Sequence, residues 1–160
     1  MRIETVLLRC CTFFVVAACH PAVASLGPAQ RSAVADSVRR ATSEFSAAAS
    51  AVDADRLFAL YSNTPDFAAA DNGVLYTSVE PLREKYRQIY RGFRAIETHF
   101  DTTRVTVLAP DAAVITFSGS VVTIDTAGVR QPPTTLALTL VWVREPAGWR
   151  IRQMHQSFLR

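Results

Sequence analysis

Beyond Gly27-Pro28, apolar residues fall at Val34, Val38, Ala41, Phe45, Ala48 and Val52. Steps that alternate four and three line one face of an α-helix, and a proline suits the first turn of such a helix. Asp53 has the side chain of an N-cap for a second, shorter helix carrying Leu57, Phe58, Leu60 and Tyr61. Asn63-Thr64-Pro65 ends it, because the residue before a proline avoids the helical region. Two short apolar runs, 67–70 and 74–77, flank Asp71-Asn72-Gly73, and Asn-Gly is a strong signal for a tight hairpin. Thr77-Ser78-Val79-Glu80 has the spacing of a capping box, with Pro81 still in the tolerated first turn. Leu82, Tyr86, Ile89 and Phe93 then form a third helical stripe, which Gly92 is placed to end.

From there the period changes from helical to two. Residues 96–108, 113–124, 134–144 and 149–158 are rich in Val, Ile, Thr and aromatics, which favour strands. Ala109-Pro110-Asp111, Thr126-Ala127-Gly128 and Pro146-Ala147-Gly148 separate them with turn chemistry. Leu136, Leu138, Leu140 and Trp142 share one strand face, and Thr135, Thr139 and Val141 share the other. Strands joined by short turns form an antiparallel meander, so the chain reads as α+β: three helices packed on one face of a long curved sheet. No repeat or linker divides residues 27–160, which read as one domain.

The first 24 residues change the picture. Arg2 and Arg9 precede an uncharged run, Cys10 to Ala18, that is far short of the roughly 20 apolar residues a membrane span needs. A basic start, a short apolar stretch and small residues behind it mark a secretory signal. Two processing outcomes stay open. Ala22-Val23-Ala24 is an A-x-A cleavage site, releasing a chain that begins at Ser25. Val16-Ala17-Ala18-Cys19 resembles a lipoprotein box, in which Cys19 would be acylated and anchor the chain to a membrane. Either way the protein is expected outside the cytoplasm, in the periplasm or beyond.

Cys10, Cys11 and Cys19 all lie in this segment, so the domain is expected to have no disulfide, thiolate metal site or cysteine nucleophile. Losing Arg2, Arg9 and Glu4 lowers the formal net charge from +3 to +2. The basic residues are scattered, which argues against nucleic acid as a partner, since phosphate binding needs a clustered basic footprint. No phosphate-binding glycine loop, nucleophile elbow or helical zinc pair of histidines occurs, so neither a cofactor nor a metal is expected.

Several words of sequence now gain weight from their order. Asp53-Ala54-Asp55-Arg56-Leu57-Phe58-Ala59-Leu60-Tyr61 precedes Asp66-Phe67; much later Gly148-Trp149-Arg150-Ile151 precedes His155-Gln156-Ser157. With the helix, helix, hairpin, helix, four-strand layout, the chain from about residue 30 to 159 resembles the nuclear transport factor 2-like superfamily, in particular its SnoaL-like and ketosteroid-isomerase-like small proteins. The resemblance implies a cone of cystatin-like fold: a strongly bent sheet wrapped around helices, leaving a cavity open at one end for a small apolar molecule. It also implies a homodimer. So many activities share this fold that it names none of them.

The isomerase branch works with a carboxylate base beside a tyrosine and a protonated aspartic acid. Asp71 falls roughly at the position of that base, but its place in Asp-Asn-Gly reads first as a hairpin turn. No second aspartate stands on an apolar strand of the meander, and Asp125 lies beside a turn. The catalytic candidates are therefore His155 and Asp66. Trp149, Ile151, Gln153, His155 and Ser157 share a face if the last strand is regular, a face that passes from core to something wetter. His99, with Glu97 and Asp101 on its side of the first long strand, would line the same cavity. Tyr61, Asp66, Tyr86, His99, Trp142 and His155 are the expected ligand-binding set. Three functions remain open: an exported binding domain for a small apolar molecule, an isomerase, cyclase or dehydratase with His155 or Asp66 as base, and a dimerisation or interaction module using one sheet face.

Overall fold

The computed structural model describes residues 26–159. The segment expected to direct export and the three cysteines, Cys19 included, lie outside the described residues.

Helix α1 (Pro28–Ser50) buries Val38, Phe45 and Ala48, three positions of the expected stripe. It packs across β3 (Phe93–Ala109) and β4 (Ala112–Asp125). Trp149 ties the opposite end of the sheet to this helix by donating from Nε1 to Ser37 Oγ at 2.8 Å. Asp53 caps α2 (Ala54–Phe58) as expected, accepting from the Arg56 amide at 2.9 Å. The second helix is shorter than its apolar pattern. Leu60 and Tyr61 lie beyond it, where the backbone of Leu60 and Ser62 exchanges hydrogen bonds with Ile151.

Asn72 and Gly73 take φ angles of 49° and 82°, the paired positive values of a two-residue hairpin turn. They join β1 (Ala68–Asp71) to β2 (Val74–Tyr76). In α3 (Val79–Tyr90) the N-cap is Ser78, one residue later than the capping box requires, and its side chain makes no cap bond. That shift places Pro81 at the third helical position, so Glu80 cannot reach back and instead pairs with Arg83 at 2.9 Å.

The last two strands are β5 (Thr134–Glu145) and β6 (Gly148–Leu159), and the sheet order is β2-β1-β6-β5-β4-β3. The meander is antiparallel as expected. One junction is not: β1 runs parallel to β6, because the hairpin, made early in the chain, docks beside the final strand. Three register shifts interrupt β3, and one bulge leaves Arg152 of β6 without a partner on β5. Bulges of this kind increase local twist and bend a strand, so they curve the sheet around α1 and α3. At the bend beside Phe100, β4 has Gly119; a Cβ there would collide with the His99 carbonyl oxygen. Trp142, Phe58, Ile115, Leu140 and Ile151 fill the closed end of the cone, each at most 1% exposed.

Candidate functional site

The inner face of the sheet and the helices enclose a cavity of about 330 Å³, toward the lower end of the range for small-molecule sites (about 300–1,000 Å³). Its wall is mainly apolar: Phe45 from α1, Phe93, Ile96 and Phe100 from β3, Phe117 from β4 and Leu138 from β5. Exposed Asn72 and Ile89 lie on its rim.

One side of this wall is polar. Asp71, the last residue of β1, is only 2% exposed and turns inward with Ala69. Its Oδ2 accepts from Lys85 Nζ at 2.8 Å, and its Oδ1 accepts from Asn72 Nδ2 at 2.9 Å. Gln156 Nε2 donates to the Tyr86 hydroxyl at 2.8 Å and more weakly to Asp71 Oδ1 at 3.4 Å. Burial works against the Lys85 charge, but the hydrogen bond and charge of Asp71, aided by Tyr76, outweigh it and raise its pKa. Lys85 is therefore a fixed cation at neutral pH and a poor nucleophile.

Three tyrosines share the cavity: Tyr61, Tyr86 and Tyr90. Burial is the main cause that raises each hydroxyl above its ordinary value; the Asp71 charge adds to the effect at Tyr61 and Tyr86. All three stay protonated through the physiological range and can act as hydrogen-bond donors. Tyr61 spends its hydrogen on Met154 Sδ at 3.1 Å. The chamber thus combines apolar walls, an ion pair of no net charge and neutral hydroxyls.

The residues expected here divide by strand parity. Tyr61 and Tyr86 line the cavity. His155 does not: the bulge at Arg152 breaks the regular alternation after Ile151, so Met154 and Gln156 face inward while Gln153, His155 and Ser157 face out. A one-residue slip moves every later side chain to the other face. His99 lies outside as well, opposite Ser120 and 3.3 Å from Asp101, because the inward residues of β3 are Ile96, Thr98 and Phe100. Asp66 is a surface residue of a turn, its side chain 77% exposed and held at 3.2 Å by Arg152. Arg152 also bonds Ser62 and Glu145, at the Trp142 end of the sheet, away from the cavity. Trp142 itself is core, fully buried with no partner for Nε1 among the described residues.

Asp71 needs the largest correction. The turn accounts for Asn72 and Gly73, which have the positive φ angles, but not for Asp71, whose carboxylate points into the cone. Sequence reasoning also missed Lys85 and Gln156. Lys85 was within reach of the pattern, being three residues after Leu82 and four before Ile89 on the inward flank of α3. Gln156 was hidden by the bulge. Leu138, Leu140 and Trp142, one of the faces considered for an interface, are core.

A curved α+β cone with a pocket between sheet and helices is the class that fold and site define. The family model of the SnoaL-like domain matches residues 38–160, and the chain belongs to that family, within the nuclear transport factor 2-like superfamily. Among solved structures, a proposed dehydratase of the NTF2-like family from Streptomyces avermitilis is similar, with a TM-score of 0.70 and 19% identity over 81% of this chain and 98% of that one. A nuclear transport factor 2-like superfamily protein from Salmonella enterica serovar Typhimurium gives 0.69 and 20%, covering 81% of this chain and 93% of that one. A proposed scytalone dehydratase from Novosphingobium aromaticivorans gives 0.64 and 13%, covering 78% of this chain and 83% of that one. At these identities the likeness is one of fold. No curated protein matches the chain.

Proposed function

We propose that this is an exported binding domain whose cone holds a small, largely apolar molecule with one polar group. The observation that carries the reading is the mainly apolar chamber of about 330 Å³ whose charged and amide groups gather on one side, around Asp71, Lys85, Tyr86 and Gln156. Apolar walls supply affinity through burial, and a few placed polar groups fix orientation. Export rests on the pattern of Arg2, Arg9, the uncharged run and Ala22-Val23-Ala24, with anchoring through Cys19 as the variant outcome. A thermal-shift screen with hydrophobic metabolites tests the binding reading. A ligand at 100 times its Kd adds about 2.7 kcal/mol of stability, a clear rise in Tm. No stabilisation across a broad panel overturns it.

A second reading, an isomerase, cyclase or dehydratase, moves from His155 and Asp66 to Asp71, the only carboxylate that lines the cavity among the described residues. The lysine salt bridge favours binding over catalysis, because a base must loosen its cation before it takes a proton. An Asp71→Asn variant that binds ligand but fails to convert it would reverse that preference.

We also propose a homodimer through the outer sheet face. Three cross-strand rows there, Gln153-Val141-Val114, His155-Thr139-Thr116 and Ser157-Ala137-Ser118, contain no carboxylate, lysine or arginine. This uncharged patch, bordered on β3 by Arg104, sets no like charges against each other across a two-fold axis.

A further inference from the structure

Tyr90 is the polar group that the wall network leaves over. It ends α3, lines the cavity and is only 7% exposed, yet its hydroxyl has no hydrogen-bond partner among the described residues. Tyr86, four residues earlier, is engaged on one side only, and Asp71 decides which. A carboxylate can only accept, so the Gln156 amide turns Nε2 toward Asp71 Oδ1. The same nitrogen reaches the Tyr86 hydroxyl at 2.8 Å, so the Tyr86 oxygen is the acceptor of that bond. Its own hydrogen has no acceptor among the described residues. The two rings adjoin, with centroids 5.6 Å apart, and burial keeps both hydroxyls protonated. One wall of the chamber therefore holds two hydroxyl hydrogens that the protein does not use. A buried donor without an acceptor is unfavourable, and a ligand that brings an acceptor removes the penalty.

We infer that the chamber selects a neutral carbonyl compound (a ketone, aldehyde or ester) whose oxygen accepts from Tyr86 and Tyr90 while its apolar body lies against the phenylalanine wall. A carbonyl oxygen has two lone pairs and no hydrogen, which matches two donors and requires no acceptor. An alcohol brings a hydrogen to a wall already short of acceptors, since Asp71 accepts from Lys85, Asn72 and Gln156. A carboxylate brings a second negative charge beside Asp71, whose charge already opposes ionisation of Tyr86. The inference rests on the binding reading above and adds the chemistry of the ligand's one polar group.

The test titrates matched ketone, alcohol and carboxylate triplets, built on saturated ring frames of increasing size, into the purified protein by calorimetry. The best-fitting ketone is expected to bind about tenfold tighter than its alcohol, the effect of about one hydrogen bond, with its carboxylate weakest. Tyr86→Phe and Tyr90→Phe are each expected to weaken the ketone by about fivefold, and the double variant to bind ketone and alcohol alike. Because the Tyr90 hydroxyl has no partner in the protein, Tyr90→Phe is also expected to leave the urea midpoint of the free protein unchanged or higher. A clear fall in that midpoint would give the hydroxyl a partner and remove the unused donor. A ketone that binds the double variant as tightly as the unmodified protein overturns the inference and leaves the binding reading standing. So does a triplet series in which the alcohol or the carboxylate binds best. If no member of any triplet binds, both fail.

Discussion

Lys85→Met is the sharpest probe of the polar wall, because it leaves the carboxylate of Asp71 buried without its cation. The ion pair is 2.8 Å long, with Asp71 2% and Lys85 30% exposed as side chains. At an effective dielectric near 20 the gross attraction is about 6 kcal/mol, most of it offset by desolvation and by ordering the lysine chain. Removing one partner of a buried pair costs about 3–5 kcal/mol. Asn72 and Gln156 still donate to Asp71, and water reaches the lysine side, so the low end, about 3 kcal/mol, is expected. Asp71→Asn should cost less, about 1 kcal/mol, because the stranded lysine can swing toward solvent. The decisive comparison is the double variant. Asp71→Asn added to Lys85→Met should restore stability, since the unpaired charge is gone. Urea unfolding followed by circular dichroism, with the slope m unchanged, measures all three. A double variant no more stable than Lys85→Met alone would refute the reasoning.

The remaining predictions address the frame, the tyrosines and the assembly. Gly119→Ala should destabilise the fold by about 3 kcal/mol, the upper end for overpacking, because its Cβ would meet the His99 backbone; a neutral result in urea unfolding would remove the close approach from the account of the bend. Tyr61, Tyr86 and Tyr90 have raised pKa values, so stability should be complete below the ordinary tyrosine value of about 10 and fall as pH rises above it. An ultraviolet titration should show those three ionising only with unfolding; ionisation of all four tyrosines near pH ~10 in the intact fold would contradict their burial. Thr139→Glu, at the centre of the uncharged β4–β6 patch, should yield a monomer in light scattering without loss of helix or sheet signal. An unmodified protein that is itself monomeric at micromolar concentration would end the homodimer proposal.

Much of the fold was legible because the signals were local. The alternating steps of α1, the Asp53 cap, the Asn72-Gly73 turn and the two-residue period of Leu136 to Trp142 each depend on neighbours a few positions away. The site was less legible because it depends on parity over longer distances. Tyr61 and Tyr86 were found from apolar stripes that place their rings inside whatever the backbone does. His155 and Gln156 exchanged faces through a single unpaired residue, Arg152, and a bulge leaves little trace in a strand already mixed in polarity. Asp71 was misread because one tripeptide serves two purposes: its last two residues make the turn, and its first supplies the buried charge. The parallel docking of β1 on β6, which places Asp71 next to Gln156, joins segments more than 80 residues apart and left no local signal.

Strand parity also sets the size of an evolutionary step. Gain of one codon between Arg152 and His155, with the bulge kept, would shift every later side chain by one position, carrying His155 into the place of Gln156 and Gln156 to the outer face. A titratable imidazole would then sit near Asp71 and Tyr86, and the cone would keep its shape. Lineages built on this frame can exchange a neutral amide for an acid-base group by a single insertion, with no need to wait for a favourable substitution at each wall position.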